Sequence, residues 1–187
     1  MTYQIIKSPE IETRNQFAEL CTLRDSRIAI EIGTDQGVFA SEFMKRFTGH
    51  ELICVDDYKS YEWFSGDRLP DMMMAVHALM NWHGRTRLIV DQSERFAKTL
   101  PKYILERLDF VYIDADHSYE GAKKDIDTWW PLLTDRGILA GHDFERESHP
   151  GVVQAVEEFA QAQDLTVYLT DTENPSPSSW YVYRNHP

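Results

Sequence analysis

The sequence predicts a single α/β domain built on a mostly parallel β-sheet with helices on both faces. Three observations carry this prediction. Short apolar runs of strand length alternate with amphipathic helical patterns along the chain. The connections between the first five runs hold helical segments, which imposes right-handed crossovers and parallel pairing. The length, 187 residues, suits one domain with a sizeable core and leaves little room for a second.

Ser8-Pro9-Glu10 reads as a helix start, with a cap candidate, a proline in the first turn and an acid near the positive helix end. That helix is expected over about 9–21, with Phe17, Leu20 and Cys21 facing inward. Residues 27–32 form the first strand, 33–37 a turn, and 38–47 a helix with Phe39, Phe43 and Phe47 at four-residue spacing. The second strand is 51–55. A long connection follows, 56–84, carrying a helix from about 70 to 82. Within it Tyr58, Tyr61 and Trp63 precede any helix and are the candidates for a lid over a substrate (the lid segment is taken as 57–84). Met72, Met73 and Met74 are expected to pack on the sheet instead.

The third strand is 87–90, and a helical stretch over 93–107 is interrupted near Pro101. Residues 109–113 form the fourth strand. The helix 118–133 is strongly amphipathic, with Ala122, Ile126, Trp129 and Leu133 on one face. The fifth strand, 137–140, precedes a helix at 151–163, and the last two strands are 165–169 and 179–183, joined by a loop rich in proline and serine.

Composition narrows the function. The formal net charge of -12 repels phosphates and anionic membranes, which argues against nucleic acid or membrane as partner. No apolar stretch is long enough to span a bilayer, and the N-terminus lacks a signal-peptide pattern. Two cysteines in unrelated settings suggest neither a disulfide framework nor a zinc site, so a reducing cytoplasm is the expected location.

The chemistry collects at the strand ends, where ligands of such sheets bind. These are Glu31-Ile32-Gly33, Asp56-Asp57, Asp91-Gln92-Ser93, Asp114-Ala115-Asp116-His117 and His142-Asp143-Phe144, and every one carries an acid. Gly33-Thr34-Asp35-Gln36-Gly37 follows a strand and opens a helix, and glycine there admits close approach of a ligand to the backbone. A dinucleotide would bring a dianionic pyrophosphate to that helix end, against Asp35 and Glu31. S-adenosylmethionine brings a sulfonium and an ammonium, which an acidic loop suits. Asp56, about 25 residues after Glu31, stands near the interval for an acid that accepts ribose hydroxyls. Gln92 and Ser93 would border the adenine.

With those residues in view, the chain resembles class I S-adenosylmethionine-dependent methyltransferases. The likeness runs through Glu31-Ile32-Gly33 to Gly37, Asp56, Ile113-Asp114-Ala115-Asp116-His117-Ser118-Tyr119-Glu120-Gly121 and Gly137-Ile138-Leu139-Ala140-Gly141-His142-Asp143. It is similar in particular to the family that includes cephalosporin-hydroxylase-like and macrolide-sugar O-methyltransferase proteins. The resemblance implies a Rossmann-like sheet of seven strands in the order 3-2-1-4-5-7-6, with strand 7 antiparallel. It also implies a cofactor site of Glu31, Gly33, Thr34, Gly37, Asp56, Gln92, Ser93 and Asp114.

Asp114 and Asp143 end the fourth and fifth strands. If these are neighbours, their backbones lie about 4.8 Å apart, and two carboxylates so placed repel unless a cation bridges them or one is protonated. A divalent metal (Mg, Mn or similar) held by Asp114, His142 and Asp143 would resolve this and polarise a substrate hydroxyl. Related metal-dependent O-methyltransferases place ligands at these two strand ends, but several carry an acid or Asn where this chain has Phe144. The other reading keeps no metal, with Asp143 orienting the cofactor or capping a turn and His142 hydrogen-bonding locally. His117, just before the 118–133 helix, is favoured as neutral imidazole by the positive helix end, the form that accepts a proton. The related macrolide-sugar enzymes place their proposed base there.

The expected function is therefore S-adenosylmethionine-dependent methylation of a small-molecule hydroxyl, with His117 and Asp114 as the catalytic pair. Two alternatives stand beside it: an NAD-linked dehydrogenase on a related fold, and a non-catalytic module that keeps the cofactor pocket. The partner expected is a small-molecule acceptor and, in a homo-oligomer, a further copy of the chain.

Overall fold

In a computed structural model, which describes residues 3–59, 66–82, 84–171 and 177–185, the chain forms one eight-stranded sheet. The strands are β1 (Gln4–Lys7), β2 (Ile28–Ile32), β3 (Glu51–Asp56), β4 (Thr86–Val90), β5 (Leu108–Ile113), β6 (Ile138–Gly141), β7 (Thr166–Leu169) and β8 (Trp180–Tyr183). Their spatial order is β1-β7-β8-β6-β5-β2-β3-β4. All neighbours are parallel except β8, which runs antiparallel to both β6 and β7.

The expected seven-strand sheet is thus corrected. Gln4–Lys7 adds an eighth strand, parallel to β7, at one edge. Its side chains are mostly exposed, with Ile5 packed against the core and Lys7 paired with Asp171, so no alternating apolar pattern announces it. The start at Ser8-Pro9-Glu10 is also a turn rather than a helix. The Ser8 hydroxyl accepts the Glu10 and Ile11 N–H groups at 3.2 and 3.0 Å and lies 2.8 Å from the Tyr181 hydroxyl. The first α-helix, α1 (Phe17–Leu23), begins only after a 3-10 turn at Arg14–Gln16.

The remaining helices are α2 (Val38–Met44), α3 (Leu69–Leu79), α4 (Ser93–Ala97), α5 (Lys102–Leu105), α6 (Tyr119–Trp129) and α7 (Pro150–Gln163). Pro101 separates α4 from α5, and Ser118 caps α6 by accepting the Gly121 N–H at 3.0 Å. Alternation along the strands divides the core in two. Ala29, Leu52, Cys54, Phe110 and Tyr112 pack with Phe17 and Leu20 of α1, Phe39 and Phe43 of α2, and Leu79 of α3. Ile30, Ile32, Ile53, Val55, Val111 and Ile113 face Phe96, Ile104, Ile126, Trp129 and Val156 of α4 to α7. The expected inner faces of α1, α2 and α6 are all buried.

Two local features depart from regularity. The β2–β5 register shifts between Ile28 and Ala29, so Asp109 is the extra residue of a bulge. It turns to accept the Arg27 backbone N–H and Nε at 2.9 Å and Nη2 at 3.0 Å. On α3, Ala75 and Leu79 meet the core while Met73 and Met74 are exposed, which corrects the expected packing of those methionines. Three consecutive residues fan over more than half of a helix, so one face cannot bury them all. Tyr61 and Trp63, two of the lid candidates, lie outside the described residues. Among the described residues no helix is long and apolar enough to cross a membrane.

Candidate active site

The hydrogen-bond ladder continues one residue beyond the central strands. The N–H groups of Gly33, Asp114, Asp91 and His142 donate to the carbonyls of Val55 (2.9 Å), Ile32 (2.8 Å), Asp56 (3.2 Å) and Ile113 (3.1 Å). These bonds align the strand-end acids along one rim of the sheet. Above it a cleft of about 640 Å³ is lined by Arg14, Glu31, Thr34, Asp56, Asp114 and His117, among others. A smaller hollow beside it is bounded by Asp56, Asp91, Gln92, Ser93, Asp116 and Asp125.

Gly33 makes the floor. Its φ is +87°, and a Cβ there would sit 2.0 Å from the Asp114 carbonyl oxygen, so no other residue fits. Gly37, at φ +74°, caps α2. Glu31 projects beneath this turn and is 1% exposed. Burial, with Asp114 and Asp56 adding to it and Cys54 pulling back only part-way, pushes its carboxyl up to about 8. Its Oε2 and the Thr34 hydroxyl are both buried and make no hydrogen bond of regular geometry, though Thr34 lies close enough to draw the carboxyl back a little. Native interiors leave few such atoms, and both residues line the cleft.

Asp56 is also buried, and burial raises its pKa although two backbone N–H groups oppose this. Oδ2 accepts from Asp35 at 2.9 Å and Oδ1 from Tyr58 at 2.8 Å, while each oxygen keeps a further lone pair for a ribose hydroxyl. The Tyr58 hydroxyl donates to the Asp35 carbonyl at 2.9 Å, which pins this residue to the glycine turn. Asp35 itself corrects the sequence reading. Its carboxylate is paired with Arg68 at 2.5 Å, and Arg68 also holds Asp71 at 2.7 Å, so its charge is not left free to face a ligand. Gln92 and Ser93 line the smaller hollow. The Ser93 hydroxyl is engaged below, donating to Asp125 at 2.6 Å and accepting from Trp129 Nε1 at 2.8 Å. Burial pushes Asp125 up to about 6.

At the other end of the rim β5 and β6 are neighbours, and Asp114, His117, His142 and Asp143 come together. His117 Nε2 is 3.0 Å from Asp143 Oδ2 and 3.5 Å from Asp114 Oδ1. His142 Nδ1 is 3.0 Å from Asp143 Oδ1 and 4.0 Å from Asp114 Oδ1. Burial alone would lower His117, but the two carboxylates outweigh it and push the imidazole up to about 10. The expected neutral form is corrected for that reason: the helix end is a weaker influence than two adjacent negative charges. Asp143 is buried, yet both imidazoles hold it well below the usual carboxylate range.

The sequence family described as a methyltransferase domain matches residues 30–144. The chain belongs to this family. Its match and its fold make it a class I S-adenosylmethionine-dependent methyltransferase. No curated protein matches by sequence. By structure the methyltransferase is similar to an O-methyltransferase from Bacillus cereus in complex with SAH, at TM-score 0.68 and 16% identity over 91% of this chain and 80% of that one. It is similar to the O-methyltransferase TomG from Streptomyces achromogenes, involved in tomaymycin synthesis and in complex with SAM, at 0.68 and 14% over 92% and 79%. A Clostridium thermocellum chain provisionally described as an rRNA-methylase superposes at 0.66 and 13% over 92% and 97%. At such identities the likeness shows a common fold.

Three site residues of the methyltransferase were not among the sequence candidates. Arg14 lines the cleft with Nη1 3.9 Å from Asp114 Oδ2, delivered by the 3-10 turn that replaces the expected helix start. Asp125 reaches the smaller hollow from α6. His149, at the start of α7, lies with Nδ1 3.7 Å from Asp143 Oδ1. Only His149 had a signal in the sequence: a further histidine shortly after His142-Asp143, immediately before a helix-starting proline.

Proposed function

We propose that this methyltransferase moves the methyl group of S-adenosylmethionine to a hydroxyl of a small molecule bound in the larger cleft. The observation that carries the reading is Glu31: a fully buried carboxyl, its Oε2 unpartnered, beside the cleft above the glycine turn. Such a group stabilises a cation that enters the cleft, and the methyl donor carries an ammonium and a sulfonium. Asp56 accepts the ribose hydroxyls, Gly33 lets the cofactor lie on the backbone, and Gln92 and Ser93 border the adenine. In the transfer the acceptor oxygen bonds the methyl carbon as the carbon–sulfur bond breaks, and the hydroxyl proton passes to the Asp114 carboxylate, which lines the cleft with the His117 imidazolium beside it. The two O-methyltransferases of like fold support a hydroxyl as acceptor, and the acidic surface supports a small molecule over RNA.

The donor set at the strand ends fits a divalent cation. Asp114, His142 and Asp143 offer ligand atoms within 4.8 Å of one another, and His142 Nε2 is buried without a hydrogen-bond partner. A cation there would supply Lewis-acid polarisation of the acceptor hydroxyl. Both cysteines are free buried thiols, which supports a reducing, cytoplasmic setting. Calorimetry with S-adenosylmethionine and with NADH tests the cofactor, with binding of the first alone expected. Release of S-adenosylhomocysteine across a panel of phenols, sugars and amines tests the acceptor, and turnover only with amines would overturn the hydroxyl reading.

A further inference from the structure

The loop after β6 brings a third imidazole to the carboxylate cluster. Phe144 follows Asp143 and has no donor atom, so the position beside the second carboxylate offers a cation nothing. The chain then folds back on itself. Asp143 takes a left-handed φ of 59°, the Glu145 N–H donates to the Asp143 carbonyl at 2.8 Å, and the His149 N–H donates to the Glu145 carbonyl at 2.9 Å. The turn returns His149 to the carboxylate that Phe144 fails to support. Nδ1 lies 3.7 Å from Asp143 Oδ1, and the ring meets that of His117 edge-on at 5.0 Å between centroids. Gly151 permits this closeness, because a Cβ there would fall 2.9 Å from the His117 carbonyl oxygen and 2.5 Å from the Tyr119 nitrogen.

His117, Asp143 and His149 offer ligand atoms within 4.8 Å of one another, as Asp114, His142 and Asp143 do. Asp143 thus belongs to both groups, with imidazoles on both sides. His142 turns Nδ1 to the same carboxylate, and its Nε2 is buried without a hydrogen-bond partner. The exposed Ser148 hydroxyl lies 2.9 Å from His149 Nδ1 and also donates to the Glu145 carboxylate.

We infer that His149 is a ligand of the cation site, supplying the donor that Phe144 lacks, and that the site therefore selects a first-row transition metal over Mg2+. Imidazole nitrogen suits Mn, Fe, Co and Zn, whereas Mg2+ prefers oxygen donors and keeps several waters. The inference rests on the cation reading above, and the test separates the two. Co2+ and Mg2+ are titrated into the full chain by calorimetry, with the visible absorption of Co2+ as a second readout. Wild type is expected to bind Co2+ at least about 100-fold more tightly than Mg2+. His149→Ala and His149→Asn should each weaken Co2+ by roughly 10- to 100-fold and alter its absorption band, with Mg2+ binding little changed. The His149 side chain makes no capping hydrogen bond to α7, and Asn is favoured at that position, so its effect is not one of folding. If wild type binds neither ion, the cation reading itself falls. If wild type binds Co2+ and both variants match it in affinity and spectrum, or if Mg2+ binds as tightly, the role of His149 alone is overturned.

Discussion

Glu31→Gln separates stability from binding, because the same carboxyl is costly to the free protein and useful to the bound one. The unfolded carboxyl titrates at about 4.3, whereas burial holds the folded one at about 8. Between these values the unfolded chain has released a proton that the folded chain still keeps, so stability falls as pH rises from about 4.5 to about 8 and is level above that. Every pH unit separating the two titrations costs about 1.4 kcal/mol, which puts the full penalty on the order of 5 kcal/mol near pH 8.5. Glutamine cannot ionise and removes it. Thermal unfolding followed by circular dichroism should show the variant close to wild type at about pH 5. Near pH 8.5 it should melt higher by roughly 10–20 °C, at about 2–4 °C per kcal/mol for a chain of this size. Binding should move the other way. The lost charge-assisted hydrogen bond to the cofactor ammonium is worth about 1.5–3 kcal/mol, or roughly 10- to 150-fold in the dissociation constant of S-adenosylmethionine. A variant that is less stable than wild type near pH 8.5 and binds the cofactor equally well would refute the reasoning on both counts.

Gly33→Ala should cripple the protein, since the new methyl would meet the Asp114 carbonyl at 2.0 Å; denaturant melts should show a loss of several kcal/mol, about 3 or more. Asp109→Ala leaves the Arg27 guanidinium and the Thr134 hydroxyl without their acceptor; urea unfolding should report a cost of about 3–5 kcal/mol. Burial would raise the Asp109 pKa, but Arg27 more than offsets it. Its contribution is therefore present above about pH 4 and lost as pH falls through the lowered value, which acid titration of wild type and variant should show. His117→Ala should lose about 100-fold or more in turnover while keeping its affinity for S-adenosylmethionine. Full activity in that variant would show that the imidazolium beside Asp114 is not needed for the transfer.

What the sequence made legible and what it hid divide along physical lines. Glu31, Asp56, Asp114 and Asp143 were readable because each ends or follows an apolar run, and strand ends in a parallel sheet share one edge. Gly33 was readable as a turn; that it must be glycine depends on how β2 meets β5. Asp35 was misjudged because its partner, Arg68, lies 33 residues away, and no local pattern reports such a pair. The charge state of His117 was misjudged because a helix end is visible in sequence, whereas two carboxylates from separate strand ends are assembled only by the fold. Arg14 and Asp125 approach the site through tertiary packing alone. The helix 118–133 and the phenylalanine ladder of α2 were secure because buried periodicity is a local property.

The pairing of Gln4–Lys7 with Thr166–Leu169 sets a timetable for synthesis on the ribosome. β1 must wait, unpartnered, until β7 has been made far along the chain before it can close the edge of the sheet. A nascent chain stalled near residue 160 would hold its central strands yet leave both β1 and β6 without their later neighbours. Closure of that edge thus waits for β7 and β8, the last strands of the sheet in chain order.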